Sequence, residues 1–261
     1  MVRAWRYTGR TISGGKVTKP RMHLVIPDVQ CRPDVDYKHL KWIGNYAADK
    51  QPDVIVCLGD FADMPSLSGY SVGKAAAEGK RYAADIAAAK DAMRLLMQPV
   101  RKVRRWHPSL EMTLGNHEDR IDREAETNPR WQGFLSSAAL GYQDAGWRVW
   151  PYLQVATLDA ISYCHFFTSG VMGRPVSSAS ALLRQRHSSA VMGHVQRVDY
   201  AVHPNTQHIG LFAGICYLHD EPYLTPQGNN TKRGIWMLHE VHDGTADIMF
   251  VSLDFLRRRY S

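Results

Sequence analysis

Three short apolar runs in this chain end the same way. MHLVIPD (22–28), DVIVCLGD (53–60) and LEMTLGNH (110–117) each run straight into a turn that carries a carboxylate or an amide. A short apolar run without alternation suits a strand buried on both faces. The stretches between them are helical in pattern. Tyr37, Leu40, Ile43 and Tyr46 lie three apart ahead of Pro52, and AADIAAAKDAMRLLMQ sits within a helical segment over 76–106, broken or kinked near Pro99. Strand, helix, strand, helix, strand predicts parallel βαβ units. Such sheets place their sites at the carboxyl ends of the strands, where these polar turns fall.

After about residue 147 the texture changes to short β-rich runs, among them SAVMGHVQ, RVDYAVH, QHIGLFAGICY, GIWMLHEV and ADIMFVSLDF. One helix-like stretch, SSASALLRQRH (177–187), interrupts them. The pattern predicts one domain over 22–261, with a βα-wound first sheet and a mostly antiparallel second one. No internal repeat or low-complexity segment divides it. Residues 1–21 read as a basic, flexible arm.

Composition excludes several classes. With 44% hydrophobic and 22% charged residues the chain is globular rather than disordered. It shows no apolar stretch of membrane-spanning length, no secretory leader, and four scattered cysteines without CxxC spacing. These features predict reduced thiols, a cytoplasmic location and no membrane partner. The formal charge of +7 is unevenly spread. Residues 1–21 carry six basic and no acidic side chains, Arg257, Arg258 and Arg259 lie in the tail, and residues 74–105 hold nine basic against three acidic. What remains is acidic. An acidic body with basic flanks suits a site filled by cations and approached by anions; solvated tails would give the same count.

Asp28 with Gln30, Asp60 with Asp63, and Asn116 with His117 close the first three strands, while His165 and His194 lie in later β-rich runs. Each has an ordinary structural reading: a helix cap, a turn residue, a core histidine. Their recurrence at five strand ends points instead to ligands for a pair of divalent cations.

The pieces PDVQ, LGDFAD, LGNHED, YCHFF and MGHVQ resemble, in order, the five motifs of the calcineurin-like metallophosphoesterases: DxH, GDxxD, GNH(E/D), a strand-borne histidine and GHxH. The general style resembles bacteriophage-encoded members. The resemblance implies that Asp60 bridges two metals, one completed by Asn116, His165 and His194, the other by Asp28, Gln30 and Gln196. It implies that His117 faces the substrate as proton donor, that Asp63 orients it, and that Arg120 lies near a phosphate oxygen. The implied reaction is phosphate-ester hydrolysis by a hydroxide held between the two metals. With the change of texture, it predicts a four-layer α/β/β/α sandwich of two mixed sheets.

Both departures from the family pattern, Gln30 and Gln196, fall on one metal. An amide oxygen is a neutral, hard donor where an imidazole nitrogen would bind more strongly. That shell favours Mn²⁺, or Mg²⁺, over Zn²⁺. For the substrate, Lys74, Lys80 and Arg81 alternate with Tyr70 and Tyr82, a mix that can grip phosphates and stack bases, although an ordinary amphipathic helix with a solvated basic face gives the same pattern. The expectation is a phosphodiesterase acting on nucleic acid or a nucleotide. The alternatives are a protein or small-molecule phosphomonoesterase and a catalytically weak, metal-stabilised binding module. Against the protein phosphatases, Met64 stands where their GDxxDRG loop has arginine.

Overall fold

The computed structural model describes residues 19–221, 224 and 226–261. The basic arm therefore lies outside the described residues up to position 18, and Arg21 opens the first strand. Strands β1 (Arg21–Ile26), β2 (Val54–Cys57), β3 (Ser109–Thr113) and β4 (Arg148–Trp150) run parallel and adjacent. Helices α1 (His39–Lys50) and α2 (Tyr82–Lys102) join the first three, and α3 (Asp119–Thr127) follows β3.

The second sheet uses β5 (Ala156–Leu158) and β6 (Ile161–Cys164), followed by a small ribbon of β7 (Thr168–Ser169) and β8 (Arg174–Pro175). Helix α4 (Ala179–Arg186) then leads to β9 (Ala190–Met192), β10 (Val198–Val202) and β11 (Ile209–Ala213). A short helix, α5 (Pro226–Asn229), precedes β12 (Gly234–His242) and β13 (Thr245–Ser252), and α6 (Leu253–Tyr260) packs on α1. The sheet orders are β13-β12-β1-β2-β3-β4 and β10-β11-β9-β6-β5.

The two faces of each strand feed different cores, as a period of two requires. In β1 and β2, Leu24, Ile26, Ile55 and Cys57 face α1 and α2, while Val25, Val54 and Val56 face the other sheet. In the second sheet, Val191 and Leu211 meet them from the far side, and Ala190, Met192 and Phe212 turn outward onto Ala179 and Leu182 of α4. Three apolar layers thus separate helix, sheet, sheet and helix, which is the expected α/β/β/α sandwich.

Two local expectations need correcting. The second sheet is antiparallel only at its edges; β6, β9 and β11 are parallel, the first two because α4 carries the chain over between them. The last hairpin, β12–β13, returns to the first sheet and pairs with β1. Nor does Pro99 break α2, which is continuous from Tyr82 to Lys102. Its buried face of Ala89, Ala92, Met93, Leu96 and Met97 continues to Val100 beyond the proline. Burying that face outweighs a propensity cost of about 3 kcal/mol.

Candidate active site

Every metal ligand expected from the sequence, with Asp63 and His117, lies just past a strand end. Asp28 and Gln30 follow β1, Asp60 and Asp63 follow β2, and Asn116 and His117 follow β3. His165 follows β6, and His194 and Gln196 follow β9. The two sheets stack so that these turns meet. His165 Nε2 lies 3.0 Å from Asn116 Oδ1, 3.1 Å from His194 Nδ1 and 3.4 Å from Asp60 Oδ2. The His194 N–H donates to Asp28 Oδ1 at 3.0 Å, and the Gln30 N–H donates to the Asp60 carbonyl at 2.8 Å. Asp28, Asp60, Asn116, His165 and His194 are therefore one cluster. Gln30 is fully buried beside it, and the Gln196 Oε1 accepts from the Tyr217 hydroxyl at 3.4 Å.

The backbone is bent to make this meeting possible. Gln30, Asp60, His194 and Gln196 all have positive φ, between 46° and 64°. Each such residue costs on the order of 1–3 kcal/mol unless its surroundings enforce it, and such costs gather at functional sites. Two glycines leave the room that the carboxylates need. A Cβ at Gly193 would stand 2.5 Å from Asp28 Oδ1, and one at Gly115 would overlap the Asp60 carboxylate. This is the physical reason for the Gly-His and Gly-Asn pairs.

Glu118 supports the turns and was not singled out in the sequence, although it stands inside the GNHE stretch. Its buried carboxylate accepts from the backbone N–H groups of Asp60 (2.9 Å), Ala62 (3.0 Å) and Gly115 (2.8 Å), and from the Tyr142 hydroxyl. One side chain thus ties the β2 and β3 turns together. Other residues missed were Arg32, Glu221, His219 and Tyr217. The first two are 189 positions apart, so no local spacing could have joined them.

His117 stands at the edge of the cluster. Its N–H donates to Asp60 Oδ1 at 3.0 Å, its Nε2 lies 3.7 Å from Asp60 Oδ2, and its Nδ1 lies 2.8 Å from Asp63 Oδ1. The last contact is a close ion pair rather than an aligned hydrogen bond. Arg120 turns its guanidinium to the Asp63 carbonyl at 2.7 Å, and so anchors the turn that carries Asp63.

The electrostatics follow from burial and proximity. Burial, then the charge of Asp60, pushes the Asp28 carboxyl up to about 7. Burial alone would raise Asp60 as well, but His117 and His165 outweigh it and hold that carboxylate low. Burial works against charge on His117 and His165; Asp60 overcomes it in both, raising His165 to about 9 and His117 in the same direction. His194 goes the other way, to about 4, through burial and its neighbour His165. Asp28, unlike Asp60, lacks enough positive charge nearby to hold its carboxyl low.

A divalent cation fits that lack. Asp60, His165 and His194 each offer a ligand atom, and all of these lie within 4.8 Å of one another. Metal–ligand distances of about 2.1 Å put neighbouring donors about 3.0–3.4 Å apart, the spacing seen around His165 Nε2. The His165 Nδ1 donates to the Leu58 carbonyl at 2.7 Å, which fixes the ring with Nε2 turned inward. Asp28 Oδ2 is buried with no hydrogen-bond partner among the described residues, a polar atom that a cation would satisfy.

The model of the Calcineurin-like phosphoesterase family matches residues 23–211. The chain belongs to that family. A relative is the Gene 54 protein of Mycobacterium phage L5, 27% identical over 186 residues, covering 69% of this chain and 71% of the phage protein. Among solved structures, wild-type Vps29 from Entamoeba histolytica, complexed with zinc, is 13% identical with a TM-score of 0.39. That match covers 89% of this chain and 99% of the other. As a member of the calcineurin-like family the chain is a metal-dependent phosphoesterase, a hydrolase. Among the described residues no helix is long and apolar enough to cross a membrane.

Proposed function

We propose that this phosphoesterase is a phosphodiesterase acting on nucleic acid or a nucleotide in the bacterial cytoplasm, with two divalent cations, Mn²⁺ in preference. The buried cluster of Asp60, Asn116, His165 and His194 beside His117 carries the reading. Asp60 would bridge the cations. Asn116, His165 and His194 would complete one site, and Asp28, Gln30 and Gln196 the other. When bound, the cations would lower the pKa of a water towards about 7, making a nucleophile available at neutral pH. The chain's own part is to position and to move a proton. Asn116 offers its amide to the phosphoryl group, and His117, held by Asp63, donates a proton to the leaving oxygen. Arg120 acts through the Asp63 turn.

The preference for a diester rests on the segment that follows Asp63. Residues 65–77 form three short 3₁₀ turns ahead of α2, with Tyr70 85% exposed and Lys74 and Arg81 open to solvent. Exposed cations and a tyrosine in the segment that follows the Asp63 turn suit an extended anionic substrate with stacking bases. Bis-p-nitrophenyl phosphate should be hydrolysed faster than p-nitrophenyl phosphate with Mn²⁺, and Lys74→Ala with Arg81→Ala should weaken only the binding of longer oligonucleotides. Preference for the monoester would replace this reading with a phosphomonoesterase, and hydrolysis of neither would point to a binding module.

The two glutamines make a separate prediction. Two imidazoles bind first-row cations more strongly than amide oxygens do, so one metal should be lost on dialysis before the other. Gln30→His with Gln196→His should tighten the weaker site on the order of 10–100-fold, the scale on which changes around a metal usually act, and should shift preference towards Zn²⁺. Metal content measured against free-metal concentration tests this. Two equally tight sites in the unaltered chain would show that neither glutamine is a ligand.

A further inference from the structure

Arg32, two residues past Gln30, has a place that the reaction described above does not use. Its Nη1 donates to Asp63 Oδ2 at 2.8 Å and to Glu221 Oε1 at 2.7 Å. Only 12% of the Arg32 side chain is exposed, and 2% of Glu221. A buried guanidinium between two buried carboxylates is costly to assemble and gains little stability over an apolar filling. Its geometry, however, is directional. Asp63 meets Arg32 through one oxygen and His117 through the other, so the guanidinium fixes the carboxylate rotamer that presents Oδ1 to the His117 ring.

Glu221 is itself built into place. Its N–H donates to Asn229 Oδ1 at 2.9 Å, and Asn229 Nδ2 returns a bond to the Glu221 carbonyl at 3.1 Å. His219 Nε2 lies 2.7 Å from the same Glu221 oxygen, and its ring stacks on Tyr217 with centroids 4.5 Å apart. Tyr217 reaches Gln196. Arg233 holds the base of this loop through the Leu218 and His219 carbonyls at 2.9 and 2.8 Å. The segment after β11 is thus braced against the turns after β1 and β2, and Arg32 is the joint.

We propose that Arg32, clamped by Glu221, is a positioning residue that sets Asp63, and through it His117, for proton donation to the leaving oxygen. The inference rests on His117 being the general acid. Its effect should therefore depend on the leaving group and disappear when His117 is gone. Turnover of diphenyl phosphate and of bis-p-nitrophenyl phosphate is compared in the holoenzyme for R32M, R32K, H117A and H117A/R32M. Diphenyl phosphate has the poorer leaving group. R32M should lower kcat on it about 10–100-fold, a part of the roughly 10²–10⁴ that a general acid contributes, and much less on the nitrophenyl ester, with KM little changed. R32K should restore part of the loss. H117A/R32M should match H117A to within about twofold, the limit for residues acting as one unit. Because R32M leaves Glu221 buried without its cation, R32M/E221Q, which removes both charges, carries the same expectation if R32M folds poorly.

Two results overturn the proposal, and they can be told apart. If H117A itself slows both esters equally, the general-acid reading falls and Arg32 falls with it. If H117A discriminates between the esters but R32M adds its full loss on top, His117 stands and Arg32 is a structural ion pair only.

Discussion

Asp60→Asn should remain folded and yet hydrolyse bis-p-nitrophenyl phosphate at least about 10³-fold more slowly, a barrier increase of about 4 kcal/mol. The fold should survive because the substitution is isosteric and the neighbouring bonds are kept. The His117 N–H that donates to Asp60 Oδ1 finds an amide oxygen in its place, and the Asp60 N–H still donates to Glu118. Burial and then the charge of Asp60 push the Asp28 carboxyl up to about 7, and the amide removes the second of these; against this, His117 and His165 lose the carboxylate that raises them, so the melting temperature should fall modestly. What is lost is the charge for which the cluster is arranged. Asp60 is the residue that approaches both His165 and His117, and it sits against the turn of Asp28 and Gln30. A neutral amide there should weaken both cations together, unlike any change at the glutamines. Metal content, a thermal melt and turnover on one preparation test this. Full metal occupancy with unchanged turnover would remove Asp60 from the site.

The βα-wound half of the fold was legible because its strands are buried on both faces and its helices carry clean apolar stripes. Leu24, Val25 and Ile26 look alike in the sequence because both sides of β1 are covered. The second half was legible only as β-rich. Strands of three to five residues such as β5, β6 and β9 are too short to reveal their direction, and whether β6 and β9 run parallel depends on the path of α4. The ligand cluster was legible because each member sits beside its strand end, so a local motif is enough to place it. Glu118 lay inside a motif but between two more conspicuous neighbours. The Arg32–Glu221 joint was illegible for a different reason. Its partners come from loops joined only by the stacking of the two sheets, and neither residue is unusual in its own neighbourhood.

His117→Ala should keep its metals and lose turnover according to the leaving group, by roughly 10²–10⁴ in kcat for an alkyl or phenyl ester and far less for a nitrophenyl ester. Metal retention follows from the geometry. The bond from residue 117 to Asp60 comes from the backbone N–H, which alanine keeps, and the buried Glu118 still holds the Asp60 and Gly115 turns. The loss in rate follows from the proton. Burial alone would favour a neutral His117, but Asp60 and Asp63 overcome it and raise the pKa above its ordinary value, which favours the protonated ring that a general acid needs. Its Nδ1 is turned to Asp63, which leaves Nε2 as the atom able to donate. A departing alkoxide is a strong base and needs that proton before the bond to phosphorus can break; a nitrophenolate does not. The slope of log kcat against leaving-group pKa should therefore steepen in His117→Ala, with the lines for variant and wild type converging at the most acidic leaving groups. Parallel lines would mean that His117 only binds the phosphate, and the proton would have to come from another group. A loss of metal in the same variant would mean that the ring, and not the backbone, secures Asp60.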